Sequence, residues 1–134
     1  MKLKIVFIAH AVAEVIFGLG FLLAPGVLFG FLGTSTDATG LVLSQIAGAV
    51  ILSLAIISWF GRDVPTGTLR DAMVWSFVLA HSAAGIVVVL AVWAGTFNWL
   101  GWPAAALDAF FVLMFVWLRR ERTVVWARSI FPFR

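Results

Sequence analysis

Four ionisable side chains lie inside long apolar runs of this sequence and could do chemistry there: His10, Glu14, His81 and Asp108. A charged residue within a membrane span costs about 2.5 to 3.5 kcal/mol on insertion scales, so each needs a partner or a wet cavity. His10 and Glu14 are four residues apart and therefore share one helix face. A carboxyl beside an imidazole, which titrates near neutrality, predicts a proton or ligand site. For His10, which falls near one span end, a purely structural role is the favoured interpretation.

Counting 1.5 Å of helical rise per residue predicts how deep each polar group lies. Glu14 falls about 15 Å from the inner boundary and His81 at nearly the same depth, so these two could meet. Gln45 and Asp108 fall about 8 to 10 Å from the outer boundary, with Ser44 beside Gln45. We therefore expect an inner and an outer polar layer. The alternative is that these groups form hydrogen-bonded pairs that only fix helix register.

Other site chemistries are less well supported by the spacing. A metal ion would need three or four convergent ligands, and the predicted depths separate Asp108 from the rest, so no metal site is predicted. The His10 to Glu14 spacing also differs from the Glu-x-x-His of carboxylate-bridged bundles. Axial ligation of haem or a pigment by His81 is an open alternative. No catalytic residue is predicted, because hydrolase, P-loop and dinucleotide motifs are absent.

The composition predicts a lipid-embedded, all-α bundle of four transmembrane helices. The 134 residues are 63% hydrophobic and 11% charged, too apolar for a soluble domain. Four crossings of about 20 residues each consume nearly the whole length, so we expect one integral membrane domain over residues 1–134. The first run is long and carries Glu14, which favours a retained span over a cleaved signal. Without cysteine, disulfides and thiol redox chemistry are excluded.

Local signals predict where the spans begin and end. Pro25 closes the first helix, and the apolar segment 27–32 is too short to cross, so it is expected at the outer interface. Thr68 to Asp71 has capping-box spacing, and Pro103 suits a first helical position. The predicted helices cover residues 3–24, 38–60, 69–93 and 103–118, followed by a basic amphipathic tail over 119–134.

All nine Lys and Arg residues fall on one side of such a bundle, which predicts that both termini are cytoplasmic. They occupy the first four residues, the loop after the second span, and the tail. Juxtamembrane cations favour anionic lipid headgroups over nucleic acid as partners. The headgroup-binding residues predicted in the tail are Arg119, Arg120, Arg122 and Arg128. An equally supported interpretation is that the tail only fixes topology.

The first span resembles the opening of small DoxX-like bacterial four-helix membrane proteins. The resemblance rests on the run Ile16 to Pro25, a glycine-bearing span that ends at proline, and on the following Phe29 to Gly33. It implies a single-domain inner-membrane protein, in some members a subunit or partner of a quinone-linked oxidoreductase. No catalytic residue carries over.

A shorter stretch is similar to small multidrug resistance exporters. Ala13-Glu14-Val15-Ile16 resembles their first helix, whose glutamate exchanges protons for cationic drugs. Pro65-Thr66-Gly67 with Trp75-Ser76 resembles their helix 2 to helix 3 region. Arg70 and Asp71 interrupt the register, no tyrosine lines a cation site, and the charge bias opposes dual topology. The resemblance implies a proton-coupled role for Glu14.

Together these observations predict a small polytopic protein of the bacterial inner membrane. The leading hypothesis is an accessory subunit or a binding protein for a lipophilic ligand such as a quinone. The alternatives are a proton-coupled exporter that uses Glu14 and a haem or pigment subunit that uses His81. No cofactor is required by the sequence. Besides lipids, the expected partner is a second copy or a larger membrane complex, since so small a bundle buries few polar groups alone.

Overall fold

The computed structural model describes residues 2–130, with side chains for residues 2–117 and 119, and contains no β-strand in that part of the chain. The prediction of an all-α fold is confirmed. Three of the helices are long and apolar enough to cross a membrane, and a shorter apolar helical stretch covers Gly101–Trp117. The five helices are α1 Lys2–Leu23, α2 Pro25–Phe31, α3 Ala38–Gly61, α4 Thr68–Trp93 and α5 Gly101–Ile130.

The predicted boundaries of the first three spans lie within one residue of α1, α3 and α4, and the differences lie elsewhere. The apolar segment after α1 is a seven-residue helix with Pro25 in its first turn. The capping box does not form, because α4 begins at Thr68 with Gly67 as N-cap and no side-chain cap. α5 begins two residues before Pro103 and continues to Ile130, so the fourth helix is longer at both ends than the predicted 103–118. Residues 131–134 of the predicted tail lie outside the described residues.

α1 and α3 pack antiparallel with their backbones in close approach. A Cβ on Gly48 would lie 2.5 Å from the Leu22 amide nitrogen and 2.7 Å from the Gly18 carbonyl oxygen. Towards the other end of the pair, the Ser58 hydroxyl donates to the Phe7 carbonyl oxygen at 2.8 Å. Small residues permit this approach, as is typical of helix pairs in lipid.

α4 and α5 form the second packed pair, and α1 approaches α5 more closely than it approaches α4. Among the described residues no Cα of α1 comes within 8 Å of a Cα of α4, and the same is true of α3 and α5. Large side chains fill the space: the Phe7 ring lies edge-on to Phe77 and Phe115 at centroid distances of 5.9 and 5.5 Å. The buried cluster of large side chains contains Leu3, Phe7, Val74, Phe77, Phe111 and Phe115.

Cations from three parts of the chain meet at one end of the bundle, which we call the basic end (Lys2, Lys4, Arg62 and Arg119). Lys4 Nζ lies 2.6 Å from Asp63 Oδ1, so the start of α1 reaches the loop after α3. Lys2 lies over the Trp117 ring, and Arg119 contacts Asp71 at 3.3 Å. At the opposite end, the Asn98 side-chain Nδ2 donates to the Phe31 carbonyl oxygen.

Candidate functional site

One face of α1 carries both its aromatic packing and its ionisable groups. Leu3, Phe7, His10 and Glu14 follow each other at spacings of four, three and four residues, which places them on a single helical stripe. The His10 side chain is fully buried, and Glu14 is 7% exposed. Both groups therefore face the α4–α5 pair and point away from the surrounding lipid.

His81 reaches this stripe from α4 across the gap between the two helices. Its Nε2 atom lies 2.7 Å from His10 Nε2 and 3.3 Å from Glu14 Oε1. His10 Nε2 lies 3.4 Å from the same Glu14 oxygen. Two imidazole nitrogens at 2.7 Å require that one carries a proton and the other offers its lone pair. The predicted meeting of Glu14 with His81 is present, and His10 belongs to it.

Asp108 completes the group from α5, since its Oδ1 atom lies 2.7 Å from His81 Nδ1. Both ring nitrogens of His81 are thus engaged: Nδ1 with Asp108, and Nε2 with His10 and Glu14. Gly85, one turn beyond His81, makes room, because a Cβ there would lie 3.2 Å from the Asp108 Cβ. We call His10, Glu14, His81 and Asp108 the His–carboxylate cluster.

The predicted outer polar layer does not form. Counting from the helix ends predicts Asp108 at the level of Gln45. The neighbours of Gly101 show, however, that α5 begins beside Val88 and Val92, which precede the last residue of α4. Asp108 therefore lies deeper than the count predicts. Within the described part of the chain, no Cα of α3 lies within 8 Å of a Cα of α5, so Gln45 and Asp108 lie on helices that are not neighbours.

Gln45 and Ser44 instead serve the helix backbone. The Gln45 amide nitrogen donates to the Leu22 carbonyl oxygen at 3.3 Å, which satisfies an acceptor near the end of α1. The Ser44 hydroxyl donates to the Gly40 carbonyl oxygen of its own helix at 2.7 Å. Neither contact involves the His–carboxylate cluster, so both residues are best explained as structural.

Aromatic rings form the wall of the cluster, a feature that the analysis of polar residues missed. His10 lies 4.4 Å from Phe77, 5.0 Å from Phe111 and 5.3 Å from Phe115, measured between ring centroids. Phe111 also stacks on His81 at 5.2 Å. The signal was present in the sequence, because Phe111 and Phe115 share a helix face with Asp108. These rings keep water from the polar groups and strengthen the electrostatic interactions among them.

The arrangement supplies three convergent donor atoms: His10 Nε2, His81 Nε2 and a Glu14 carboxylate oxygen. Such a set could pass a proton between imidazole and carboxylate or ligate a cation. The expectation that Asp108 lies at a different depth from the other ionisable groups is wrong. The main argument against a metal site therefore no longer holds. His10 Nδ1 is buried without a hydrogen-bond partner in the described part of the chain.

Of the four arginines predicted to bind headgroups, the structure describes the side chain of Arg119. Arg119 contacts Asp71 and lies over the Trp75 ring at 4.9 Å from its centroid. The side chains of Arg120, Arg122 and Arg128 lie outside the described residues. Their role towards lipid therefore stays a prediction.

Comparison with known proteins places the chain in a family. A family model described as "Domain of unknown function (DUF8292)" matches residues 8–129. This chain belongs to the DUF8292 family. The match covers α3 and α4 completely, α1 from residue 8 onward and α5 up to residue 129, and with them every member of the His–carboxylate cluster.

This DUF8292 chain is also similar to a bacterial protein named for its enzymatic activity. Protoheme IX farnesyltransferase of Renibacterium salmoninarum is 32% identical over 100 residues, an alignment that covers 63% of this chain and 30% of that protein. The chain thus spans less than a third of the length of this curated relative. No solved structure matches it significantly. Long apolar helices and this relative together identify a membrane protein.

Proposed function

We propose that this DUF8292 protein crosses the bacterial inner membrane four times, with both termini cytoplasmic, and that its His–carboxylate cluster binds a ligand within the membrane. One observation carries the proposal: four ionisable side chains from α1, α4 and α5 converge within hydrogen-bond or ion-pair distance. Ionisable groups inside a membrane are costly and mark functional sites. A register-fixing role would need one pair, whereas here three helices each contribute.

The basic end supports the proposed topology. Lys2, Lys4, Arg62 and Arg119 gather at one end of the bundle, although they come from three separate segments. An excess of Lys and Arg at one end is typical of the cytoplasmic face. Gly101–Trp117 is an apolar helical stretch at the lower limit of the roughly 17 to 25 residues that a crossing needs, and Arg119 follows it at the basic end.

Accessory function in a larger complex, as the DoxX-like resemblance implies, is compatible with such a site. The exporter alternative gains support from the burial of Glu14 beside two imidazoles. The name of the Renibacterium relative mentions protoheme IX, which favours testing haem directly. A haem held between His10 and His81 would require the porphyrin plane to separate two nitrogens that lie 2.7 Å apart.

The test is to purify the full chain from native membranes in mild detergent, together with Glu14→Gln and His81→Gln variants. The bound small molecules and ions are then identified by native mass spectrometry, elemental analysis and absorbance. We expect a ligand that the wild type retains and both variants lose. Asp71→Asn, which neutralises a carboxylate of α4 that pairs with Arg119, is the matched control and should retain it.

Four outcomes would contradict the proposal or redirect it. Equal ligand content in all four proteins overturns the site. Reporter fusions that place the two termini in opposite compartments overturn the topology. A Soret band that the His81 variant loses identifies haem as the ligand, whereas a protein partner that copurifies equally with every variant supports a docking subunit whose cluster is structural.

A further inference from the structure

The His–carboxylate cluster has the donor set and the spacing of a transition-metal site. Its three donor atoms come from two imidazoles and one carboxylate, the combination that suits zinc and neighbouring divalent ions. Ligands about 2.05 Å from a tetrahedral ion are separated by about 3.3 Å. The two distances from Glu14 Oε1 to the imidazole nitrogens, 3.3 and 3.4 Å, match that separation. The distance between the two nitrogens, 2.7 Å, is a hydrogen bond that an entering ion would open.

Asp108 supplies the second feature of such a site. A metal-ligating histidine almost always donates its other ring N–H to a carboxylate, a carbonyl or water, which fixes the ring and raises its basicity. His81 Nδ1 lies 2.7 Å from Asp108 Oδ1, and Nε2 thereby points at His10 and Glu14. The orientation of His81 is thus already the one that ligation requires.

The charge of the cluster also favours a divalent cation. Glu14 and Asp108 are two carboxylates in a region walled by phenylalanine, and the ion-pair partners that the structure gives them are histidines. Neutral imidazoles leave two negative charges, which a divalent cation would balance. Buried charges are stable when they are paired or coordinate a metal. Magnesium and calcium prefer six or more oxygen ligands and suit this set poorly.

We propose that His10, Glu14 and His81 bind a divalent transition-metal ion of the zinc class inside the membrane, and that Asp108 acts as the positioning residue for His81. This names the ligand of the site proposed above and rests on that proposal. Three protein ligands leave a fourth position open for water or another small molecule. His10 is the weaker of the two histidine ligands, because no hydrogen-bond partner for its Nδ1 is found among the described residues.

The experiment uses the full chain in detergent, purified without a polyhistidine tag and stripped with a chelator. It is titrated with Co²⁺, whose visible d–d absorption reports the number and type of ligands, and Zn²⁺ is then added as competitor. We expect one Co²⁺ per chain, displaced by Zn²⁺. Glu14→Gln and His81→Gln should each weaken binding by about 100-fold or more, and Asp108→Asn by about 10-fold to 100-fold.

Two comparisons separate ligation from a general loss of structure. His10→Gln should weaken binding less than His81→Gln, although His10 is the more buried residue, whereas a purely structural role would reverse that order. Asp71→Asn should bind Co²⁺ like the wild type. Circular dichroism and gel filtration identify variants that fold, and Asp108→Asn, which keeps the side-chain shape, provides a second test if His81→Gln does not fold.

The proposal is overturned if the folded, stripped wild type shows no d–d band, or if its Co²⁺ affinity is unchanged in the folded Glu14 and His81 variants. A native ligand that depends on Glu14 and His81, found together with absent Co²⁺ binding, would overturn the metal while leaving the site proposed above intact. Cobalt binding that follows the expected order supports the metal, even if the topology proves different.

Discussion

The two ways in which α1 meets its neighbours differ in kind. Against α3 it packs backbone to backbone, because Gly18 and Gly48 remove the side chains that would hold the helices apart. Against α4 the backbones stay apart and side chains bridge the gap, with Phe7 and Phe77 at one level and His10 and His81 at the next. The α1–α3 interface leaves no space for a larger side chain at Gly48. The second interface is filled by side chains, and it is the one that holds the ionisable groups.

Loss of volume should have the largest effect where α1 meets the α4–α5 pair. Phe115 is fully buried, and its ring lies 5.5 Å from Phe7 and 5.4 Å from Phe77, so Phe115→Ala leaves a cavity between side chains of three helices. We expect a loss of about 3 to 5 kcal/mol in the free energy of unfolding, measured by titration with sodium dodecyl sulfate in mixed micelles. Phe110→Ala, at a 48% exposed position of the same helix, is the control. Equal losses in both variants would show that the gap closes.

Added volume should damage the α1–α3 interface next. Gly48→Ala places a Cβ against the backbone of Leu22 and Gly18, which no rotamer change can relieve. We expect a loss of about 1 to 3 kcal/mol by the same titration, despite the gain of about 1 kcal/mol in helix propensity. Gly30→Ala is the matched control, because a Cβ there meets nothing within 4 Å. If Gly48→Ala is as stable as Gly30→Ala, the close approach is not important for stability.

The sequence predicts the helices of this fold better than the pairing between them. Hydropathy and local signals locate α1, α3 and α4, because long apolar runs in lipid have few alternatives to helix. The meeting of Glu14 with His81 follows from equal depth, since both lie on long spans that start at one end of the bundle. These elements depend on local or one-dimensional information, which a single sequence contains.

The position of Asp108 depends on information of another kind. α5 begins beside Val88 and Val92, and this offset arises from how the turn over residues 94–100 packs, which no residue count reveals. The sequence also does not predict the wide spacing between α1 and α4, because that spacing depends on which glycines face which helix. Periodicity still offered a partial signal: Asp108, Phe111 and Phe115 form one stripe on α5.

The smallest effect should come from the ion pair that joins the ends of α1 and α3. Lys4 and Asp63 are both exposed, so Lys4→Gln should leave the free energy of unfolding nearly unchanged, and any difference should vanish in high salt. The hydrogen bond from Lys4 lowers the pKa of the Asp63 carboxyl below its usual value. Its contribution is therefore present above the ordinary pKa of aspartate and is lost as the pH falls through the lowered one.

Carbon-13 NMR of the Asp63 carboxyl measures this contact directly. Lys4→Gln should raise the pKa of Asp63 towards its ordinary value, and Arg62→Gln should raise it less, because the Lys4 hydrogen bond is the larger cause. If Lys4→Gln instead destabilises the protein as much as Gly48→Ala does, α1 is held to α3 by charge at its end. A negligible effect would leave the backbone approach at Gly18 and Gly48 as the interaction that fixes α1, and thereby His10 and Glu14, in position.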